Sequence, residues 1–265
     1  MKTKTVLGGA LLFAATVCMA AEPFKIVSYN VRHCADIRGV LSPEATARTI
    51  SKERARFVAL QEMDVKAKRS KGVDQPAELA RLTGLQASFA RAIPLQGGSY
   101  GNALLSREKP LAVRKIPLPG KEPRVLLLAE FDDCCVGSMH LALEDDLRLA
   151  SVPLVEKAVA EVAAKKPVFL CGDWNATPDS PALKALGKFM KVISTQKVNT
   201  FHGSNAKISA AERAKRGCMI DYVAVDRAHA AQVEVLETQV TEDRETSDHA
   251  PISVTLKLKQ PKELK

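Results

Sequence analysis

The chain has 265 residues, of which 46% are hydrophobic and 26% are charged; this balance is that of a folded globular protein and excludes a disordered one. Its length allows one large core, and no repeat, low-complexity tract or Gly/Ser-rich linker divides it. The formal net charge of +9 favours anionic partners, such as nucleic acid or phosphorylated headgroups, without choosing between them.

The first 21 residues have the pattern of a signal peptide. Lys2 and Lys4 give a positive start, residues 6–17 are apolar, and small residues lead to cleavage after Ala20 or Ala21. No later apolar run is long enough to span a bilayer. We therefore expect a signal peptide over residues 1–21, one domain over residues 22–265, and a monomer exported to the periplasm or the extracellular space.

A series of strands is predicted by runs rich in leucine and β-branched residues that Gly, Pro, Asp or Asn bound. In chain order they cover residues 24–30, 57–62, 85–93, 103–106, 111–116, 125–131, 134–140, 168–172, 219–225, 233–238 and 251–258. Several runs are apolar at successive positions, which indicates interior strands covered on both faces.

Helices are predicted between some of these strands, over residues 42–56, 76–84, 145–165 and 181–186. Ser42, Pro43 and Glu44 form a capping start for the first helix. The third helix should be interrupted or kinked near Pro153. Strand pairs without an intervening helix predict hairpins, and β–α–β stretches predict parallel neighbours, so we expect an α/β fold with a mixed sheet pair and helices outside.

Five cysteines remain after the proposed cleavage site, which leaves at least one thiol unpaired in a monomer. None has the CxxC spacing of a zinc site. Cys171 lies inside an apolar strand and is expected to be a buried small hydrophobe. A disulfide between Cys34 and Cys218 is one prediction, because both residues lie beside predicted site segments.

Residues able to carry chemistry gather where the predicted strands begin or end. They are Asn30, Glu62, Tyr100, Asn102, His140, Asp173, Asn175, Asp221, Asp248 and His249. Glu62 and Asp221 are acids in apolar runs, where burial is costly without a cation or partner. Each residue alone is equally typical of a turn or a core position. Their conjunction indicates an active site at the rim of a sheet.

Short motifs in a fixed order give the chain a family resemblance. They are SYN at residues 28–30, LQE at 60–62, YGNALLSR at 100–107, MHL at 139–141, GDWN at 172–175, IDY at 220–222 and SDHAP at 247–251. This set resembles the endonuclease/exonuclease/phosphatase superfamily, which includes pancreatic deoxyribonuclease and abasic-site endonucleases. The resemblance implies a four-layer α/β sandwich, in which two mixed β-sheets lie face to face and helices flank them.

The resemblance also implies a metal site. Glu62 looks like the principal ligand, assisted by Asn30 and Asp248, with Mg²⁺ the expected ion and Mn²⁺ an alternative, since oxygen ligands suit both better than zinc. Some relatives carry another acidic ligand two residues after the Asn30 position. Arg32 stands there in this chain, so one metal and two metals both remain open.

The catalytic roles implied by the resemblance fall on the other residues. Asp173 resembles the group that activates or positions water, although a carboxylate with an ordinary pKa is only a modest base. Asn175 would donate to the phosphate, and His249, oriented by Asp221, would contact the scissile phosphate. The resemblance also implies that His140 contacts a phosphate oxygen or the leaving group, and that Tyr100 and Asn102 bind the substrate.

We expect a secreted, Mg²⁺-dependent phosphoester hydrolase that acts on an anionic substrate, with a phosphodiesterase as the leading expectation and two substrate classes open. A nuclease is one class, because the loop over residues 202–217 is rich in Lys and Arg shortly before Asp221, although a solvated basic helix explains that loop equally well. A small-molecule or lipid-headgroup phosphoesterase is the other. A catalytically inactive binding module would be expected to lack Glu62, Asp173 or His249, and all three are present.

Overall fold

The computed structural model describes residues 22–259, so the predicted signal peptide and residues 260–265 lie outside it. The described chain has the α-helices α1 (Pro43–Glu53), α2 (Gln75–Thr83), α3 (Asp145–Ala163), α4 (Pro181–Leu186) and α5 (Ala210–Arg216). Its strands are β1 (Phe24–Asn30), β2 (Phe57–Val65), β3 (Gln86–Leu95), β4 (Gly98–Ser106), β5 (Ala112–Leu118), β6 (Arg124–Glu130), β7 (Cys135–His140), β8 (Val168–Asp173), β9 (Met190–Val192), β10 (Asp221–Asp226), β11 (Val233–Val240) and β12 (Ile252–Leu258).

These strands form two six-stranded sheets, with the orders β11-β12-β1-β2-β4-β3 and β5-β6-β7-β8-β10-β9. Both sheets are mixed, because β1 and β2 run parallel in the first and β7 and β8 run parallel in the second, whereas the other pairs are antiparallel. Each sheet therefore has one parallel pair near its centre. The predicted four-layer α/β sandwich is confirmed.

The core has three apolar layers. Phe57, Leu127 and Phe169 lie in the layer between the two sheets. A second layer covers the outer face of the second sheet with residues of α3 and α4, and a third packs α1 and α2 on the outer face of the first sheet. Because full burial of such a side chain stabilises the fold by about 1.5–3 kcal/mol, these layers fix the sheets that carry the site.

The structure differs from the predicted elements in a few places. The helix expected to be interrupted or kinked near Pro153 continues through it as α3, so the predicted interruption is wrong. Pro153 lies on the exposed side of the helix, where solvent can hydrogen-bond the carbonyl that proline, lacking an N–H, leaves without a partner. The short edge strand β9 was not predicted. Residues 210–216 form α5, whose first turn is capped by Ser209.

The predicted disulfide between Cys34 and Cys218 is also wrong, since the cysteines of the described chain are all free. Cys34 is buried in the layer beneath α1, and Cys218 pairs through its backbone with Phe201. Cys171 is fully buried between the sheets, as predicted. Within residues 22–259, no helix combines the length and apolarity needed to cross a bilayer.

Candidate active site

The candidate site lies at one edge of the sandwich, where the carboxyl ends of the two parallel strand pairs meet. Asn30 ends β1 beside Gln61 of β2, and His140 ends β7 beside Asp173 of β8. The antiparallel strand β10 places Asp221 directly opposite Asp173. Sites in α/β proteins form at the carboxyl ends of strands, so the topology by itself brings these groups together.

Glu62 is directed into this edge by a bulge in β2. The register between β2 and β4 shifts between Leu60 and Met63, and Glu62 has a left-handed φ of 60°. Such a bulge re-aims a side chain at a functional edge. Burial raises the pKa of the Glu62 carboxyl; a hydrogen bond from Asn30 lowers the pKa and the Asp248 carboxylate raises it, with a net rise. An ionised Glu62 would therefore gain from a nearby cation.

Asn30 connects Glu62 to the groups on the second sheet. Its Nδ2 donates to Glu62 Oε1 and to Asp173 Oδ2, each at 3.1 Å, and lies 3.5 Å from His249 Nε2. Its Oδ1 accepts a hydrogen bond from the backbone N–H of Arg32 at 3.0 Å. Because Asn30 is fully buried, this amide fixes the spacing of the two carboxylates.

His249 is held between two carboxylates. Its Nδ1 lies 2.9 Å from Asp221 Oδ2, and its Nε2 lies 3.6 Å from Asp173 Oδ2. Burial lowers the pKa of His249, but the Asp221 and Asp173 carboxylates outweigh burial and raise the pKa to about 10. The Phe201 ring covers the imidazole at a centroid distance of 5.0 Å. His249 is thus an oriented cationic donor at neutral pH.

Asp173 ends β8 directly after Gly172. A Cβ at Gly172 would overlap a carbonyl oxygen of β7, so only glycine allows the two strands to approach here. The Oδ1 of Asp173 accepts the backbone N–H of Asn175 at 2.9 Å. Burial raises the pKa of Asp173, and Asp221 adds to this rise against a lowering by His249. The carboxyl is therefore a stronger base than an ordinary exposed aspartate.

His140 forms the other imidazole of the site. Its Nε2 lies 3.1 Å from Asn175 Nδ2 and 3.5 Å from Asp173 Oδ2. Asn175 has a left-handed φ of 47°, which turns its amide back toward β7. Burial lowers the pKa of His140 well below the usual histidine value, and nearby cations add to this. His140 is therefore neutral where His249 is charged.

Asp248 lies at the open side of the site. Its side chain is 19% exposed, and its Oδ2 lies 3.5 Å from Arg32 Nε. Ser247 holds this loop to β1 by donating to the Asn30 carbonyl at 2.8 Å, and it accepts the His249 backbone N–H at 3.3 Å. Sequence reasoning named Ser247 only as part of a motif, because its anchoring role depends on a contact with β1.

Tyr100 and Asn102 lie on β4 beside the bulge, but their side chains form hydrogen bonds to other groups of the protein. Asn102 Nδ2 donates to the carbonyl of Val125 at 2.7 Å, and Tyr100 Oη accepts from Arg124 Nη1 at 3.2 Å. Both residues are buried. The structure thus gathers the other predicted residues into one network and places these two beside it, where they join the sheets.

Sequence reasoning did not include Phe201 and His202 in the site. The backbone of Phe201 pairs with His249, and the backbone N–H of His202 donates to the Asp248 carbonyl at 2.9 Å. Burial lowers the pKa of His202 to about 4, and neither ring nitrogen has a hydrogen-bond partner among residues 22–259. The only local signal is an aromatic–histidine pair in a basic loop, which is not specific.

A two-sheet sandwich that gathers carboxylates, amides and imidazoles at its paired strand ends offers the groups that bind a divalent cation and position water at a phosphate. The sequence profile described as "Endonuclease/Exonuclease/phosphatase family" matches residues 27–249. The chain belongs to this family, whose members are metal-dependent hydrolases of phosphoester bonds, so it is an enzyme of this class. No curated protein matches the sequence.

Solved structures share the fold at low sequence identity. An endonuclease/exonuclease/phosphatase from Beutenbergia cavernae is 22% identical with a TM-score of 0.72, covering 89% of this chain and 72% of its own. A mannosyl-6-phosphatase from Bacteroides thetaiotaomicron is 14% identical with a TM-score of 0.67, and the match covers 88% of this chain and 99% of the phosphatase. ANGEL2, a 2′,3′-cyclic phosphatase, is 15% identical with a TM-score of 0.68, covering 91% and 96%. These likenesses establish the fold.

Proposed function

We propose that this protein is an exported, Mg²⁺-dependent phosphoester hydrolase in which Asp173 directs water at a phosphate. The observation that carries the proposal is the continuous series of contacts from Glu62 through Asn30 and Asp173 to His249 and Asp221. It sets a cation ligand, a base and an oriented imidazole around one point. Phosphoryl transfer needs this kind of positioning and charge stabilisation more than covalent help.

Glu62, Asn30 and Asp248 are the residues that would hold the ion. They offer oxygen donors, which suit Mg²⁺ or Mn²⁺. The fit is supported by Glu62, whose carboxyl has a pKa raised by burial and by Asp248, so that a cation would favour its ionised form. When bound, the ion would neutralise charge on the phosphate oxygens and act as a Lewis acid.

Asp173, Asp221 and His249 form a second cluster, in which one ligand atom from each lies within 4.8 Å of the others. We assign this cluster to catalysis because its groups already pair with one another, as in the contact of 2.9 Å between His249 and Asp221. The Asn30 amide does not distinguish the two clusters, because it donates to Glu62 as well as to Asp173, each at 3.1 Å.

The site residues would divide the hydrolysis between them. Asp173 takes a proton from water as the water oxygen bonds to phosphorus and the ester P–O bond breaks, and its raised pKa favours this step. His249 donates from its charged ring to a phosphate oxygen. His140 is neutral and its Nε2 faces the Asn175 amide donor, so it is a poor acid and we assign it to orienting Asn175 beside the phosphate, while the leaving oxygen takes its proton from solvent.

The contacts of the basic loop favour a compact substrate over nucleic acid. Arg213 is 3% exposed and donates to the carbonyl of Arg244 and to Glu245, and Arg216 pairs with Glu212 at 2.6 Å. Arg213 is therefore not available to a nucleic-acid backbone, and the loop cations that stay exposed, Lys207, Lys215 and Arg216, are fewer than the run of phosphate contacts on which nucleic-acid affinity depends. We therefore propose, more specifically, that the substrate is a small-molecule or lipid-headgroup phosphoester.

The decisive assay is hydrolysis in the presence of Mg²⁺, with EDTA as control and His249→Ala alongside. The substrates are supercoiled plasmid, bis(p-nitrophenyl) phosphate and p-nitrophenyl phosphate. We expect metal-dependent turnover of a nitrophenyl ester that the variant loses, with little plasmid nicking. Strong nicking would favour a nuclease, and no metal-dependent turnover of any ester would refute the proposal. Mass spectrometry of exported protein would test cleavage after Ala20 or Ala21.

A further inference from the structure

Arg32 lies in an unusual turn between β1 and α1. The residues Arg32, His33 and Cys34 have φ values of 46°, 46° and 57°, which is the left-handed region that favours glycine. Three consecutive residues of this kind are strained, and strain of this sort is held in place where a fixed geometry is needed. The turn begins two residues after Asn30, so it projects the Arg32 side chain toward the site.

Contacts on both ends hold Arg32 in place. Its backbone N–H donates to Asn30 Oδ1 at 3.0 Å, its Nη1 donates to the Asp36 carbonyl at 2.6 Å, and its Nε lies 3.5 Å from Asp248 Oδ2. Its Nη2 makes no hydrogen bond to any residue between 22 and 259. The guanidinium is therefore tethered while part of its donor fork stays free.

Arg32 is also accessible, unlike the groups deeper in the network. Its side chain is 26% exposed, compared with 5% for His249 and 3% for Asp173. It is thus a fixed cation at the open side of the site, next to the proposed ion ligand Asp248. The Nη2 group of a guanidinium held in this way carries two N–H donors that can contact the oxygens of a phosphate.

Given the hydrolase proposed above, on which this inference rests, we infer that Arg32 is a substrate-binding residue that selects phosphomonoesters over phosphodiesters. A monoester carries close to two negative charges at neutral pH, and a diester carries one. The tethered guanidinium would contact the additional anionic oxygen, which in a diester is replaced by an ester oxygen bearing a second substituent. The selected substrate class is therefore a compact phosphomonoester.

A different role for Arg32 would be simply to balance the charge of Asp248 and close the turn. In that case its removal would weaken both ester types by the same factor, through the metal site or through stability. The two roles are separated by the ratio of kcat/KM for p-nitrophenyl phosphate to kcat/KM for bis(p-nitrophenyl) phosphate. A purely structural role does not move this ratio.

The experiment measures this ratio in the full mature chain with Mg²⁺, for wild type, Arg32→Gln and Arg32→Lys. Arg38→Gln is the matched control, because Arg38 lies in the loop that follows the turn and pairs with Asp36 but is 64% exposed. We expect Arg32→Gln to lower the ratio by about 10- to 100-fold, the size of one charged hydrogen bond, mainly through the KM of the monoester. Arg32→Lys should keep part of the preference, and Arg38→Gln should keep all of it.

An unchanged ratio in Arg32→Gln would overturn the inference, as would a wild-type enzyme that prefers the diester. Thermal unfolding of each variant shows whether the protein is still folded. If Arg32→Gln is destabilised, the ratio of monoester to diester kcat/KM is measured instead in Arg32→Lys, at a temperature where Arg32→Lys is folded. Failure of the hydrolase proposal looks different, since wild-type protein would then release nitrophenol from neither ester.

Discussion

The two sides of the active site differ in how far their side chains are already paired. On the imidazole side, formed by His140, Asp173, Asp221 and His249, side-chain exposure is 5% or less. On the carboxylate side, formed by Glu62 and Asp248, burial is incomplete, and Asp248 has an ion-pair distance of 3.5 Å to Arg32. The imidazole side is preorganised, whereas on the carboxylate side Glu62 has no ion pair within residues 22–259, and it is here that we propose a bound cation.

The largest effect should follow from removing charge on the carboxylate side. We expect Glu62→Gln to lower kcat/KM by about 1,000-fold, or about 4 kcal/mol, because the amide keeps the shape but weakens the hold on the ion. Steady-state kinetics over a range of Mg²⁺ concentrations measures this, with circular dichroism to confirm folding. Wild-type metal dependence in the variant would show that Glu62 is not the principal ligand.

A smaller loss is expected on the imidazole side. Asp221→Asn should lower kcat by about 100-fold with KM little changed, because His249 loses the partner that orients and charges it. Asp226→Asn is the matched control, since Asp226 lies at the other end of β10 and pairs with His229 at 2.9 Å. Equal losses in the two variants would point to damage to β10 rather than to His249.

Binding of Mg²⁺ without substrate distinguishes the two sides directly. At 100 times its dissociation constant the ion should stabilise the fold by about 2.7 kcal/mol, seen as a rise in Tm that EDTA reverses. Glu62→Gln should lose this rise, and Asp221→Asn should keep it. The opposite pattern would move the ion to the cluster of Asp173, Asp221 and His249.

The smallest effect on catalysis is expected beside the site. Asn102→Ala should destabilise the fold by about 1–3 kcal/mol, because the Val125 carbonyl between the sheets loses its donor. We expect kcat and KM to stay within about twofold of wild type. Chemical denaturation and steady-state kinetics on the same preparation measure both, and a raised KM would support the substrate-binding role predicted from the sequence.

Much of this site follows from local patterns in the sequence. Asp173 and Asp221 stand next to apolar strands, and an acid in that position needs a partner or a cation. Each of these signals is local to its own strand end, so it is visible without knowledge of the fold. The close approach of backbones at Gly172 was not predicted and is seen only in the structure. The predicted interruption of α3 at Pro153 was wrong, because the effect of a proline depends on whether it lies on the exposed face of the helix.

The sequence by itself therefore determined the two-sheet class and the residues that line one edge, because strand periodicity and strand-end chemistry are local properties. Only the tertiary structure decided which of these residues touch. The Asn30 amide contacts Asp173 and His249 across 143 and 219 positions of the chain, and Arg32 becomes a tethered cation only because the Asp248 loop folds against its turn. Contacts of such separation depend on the packing of both sheets, which no local pattern records.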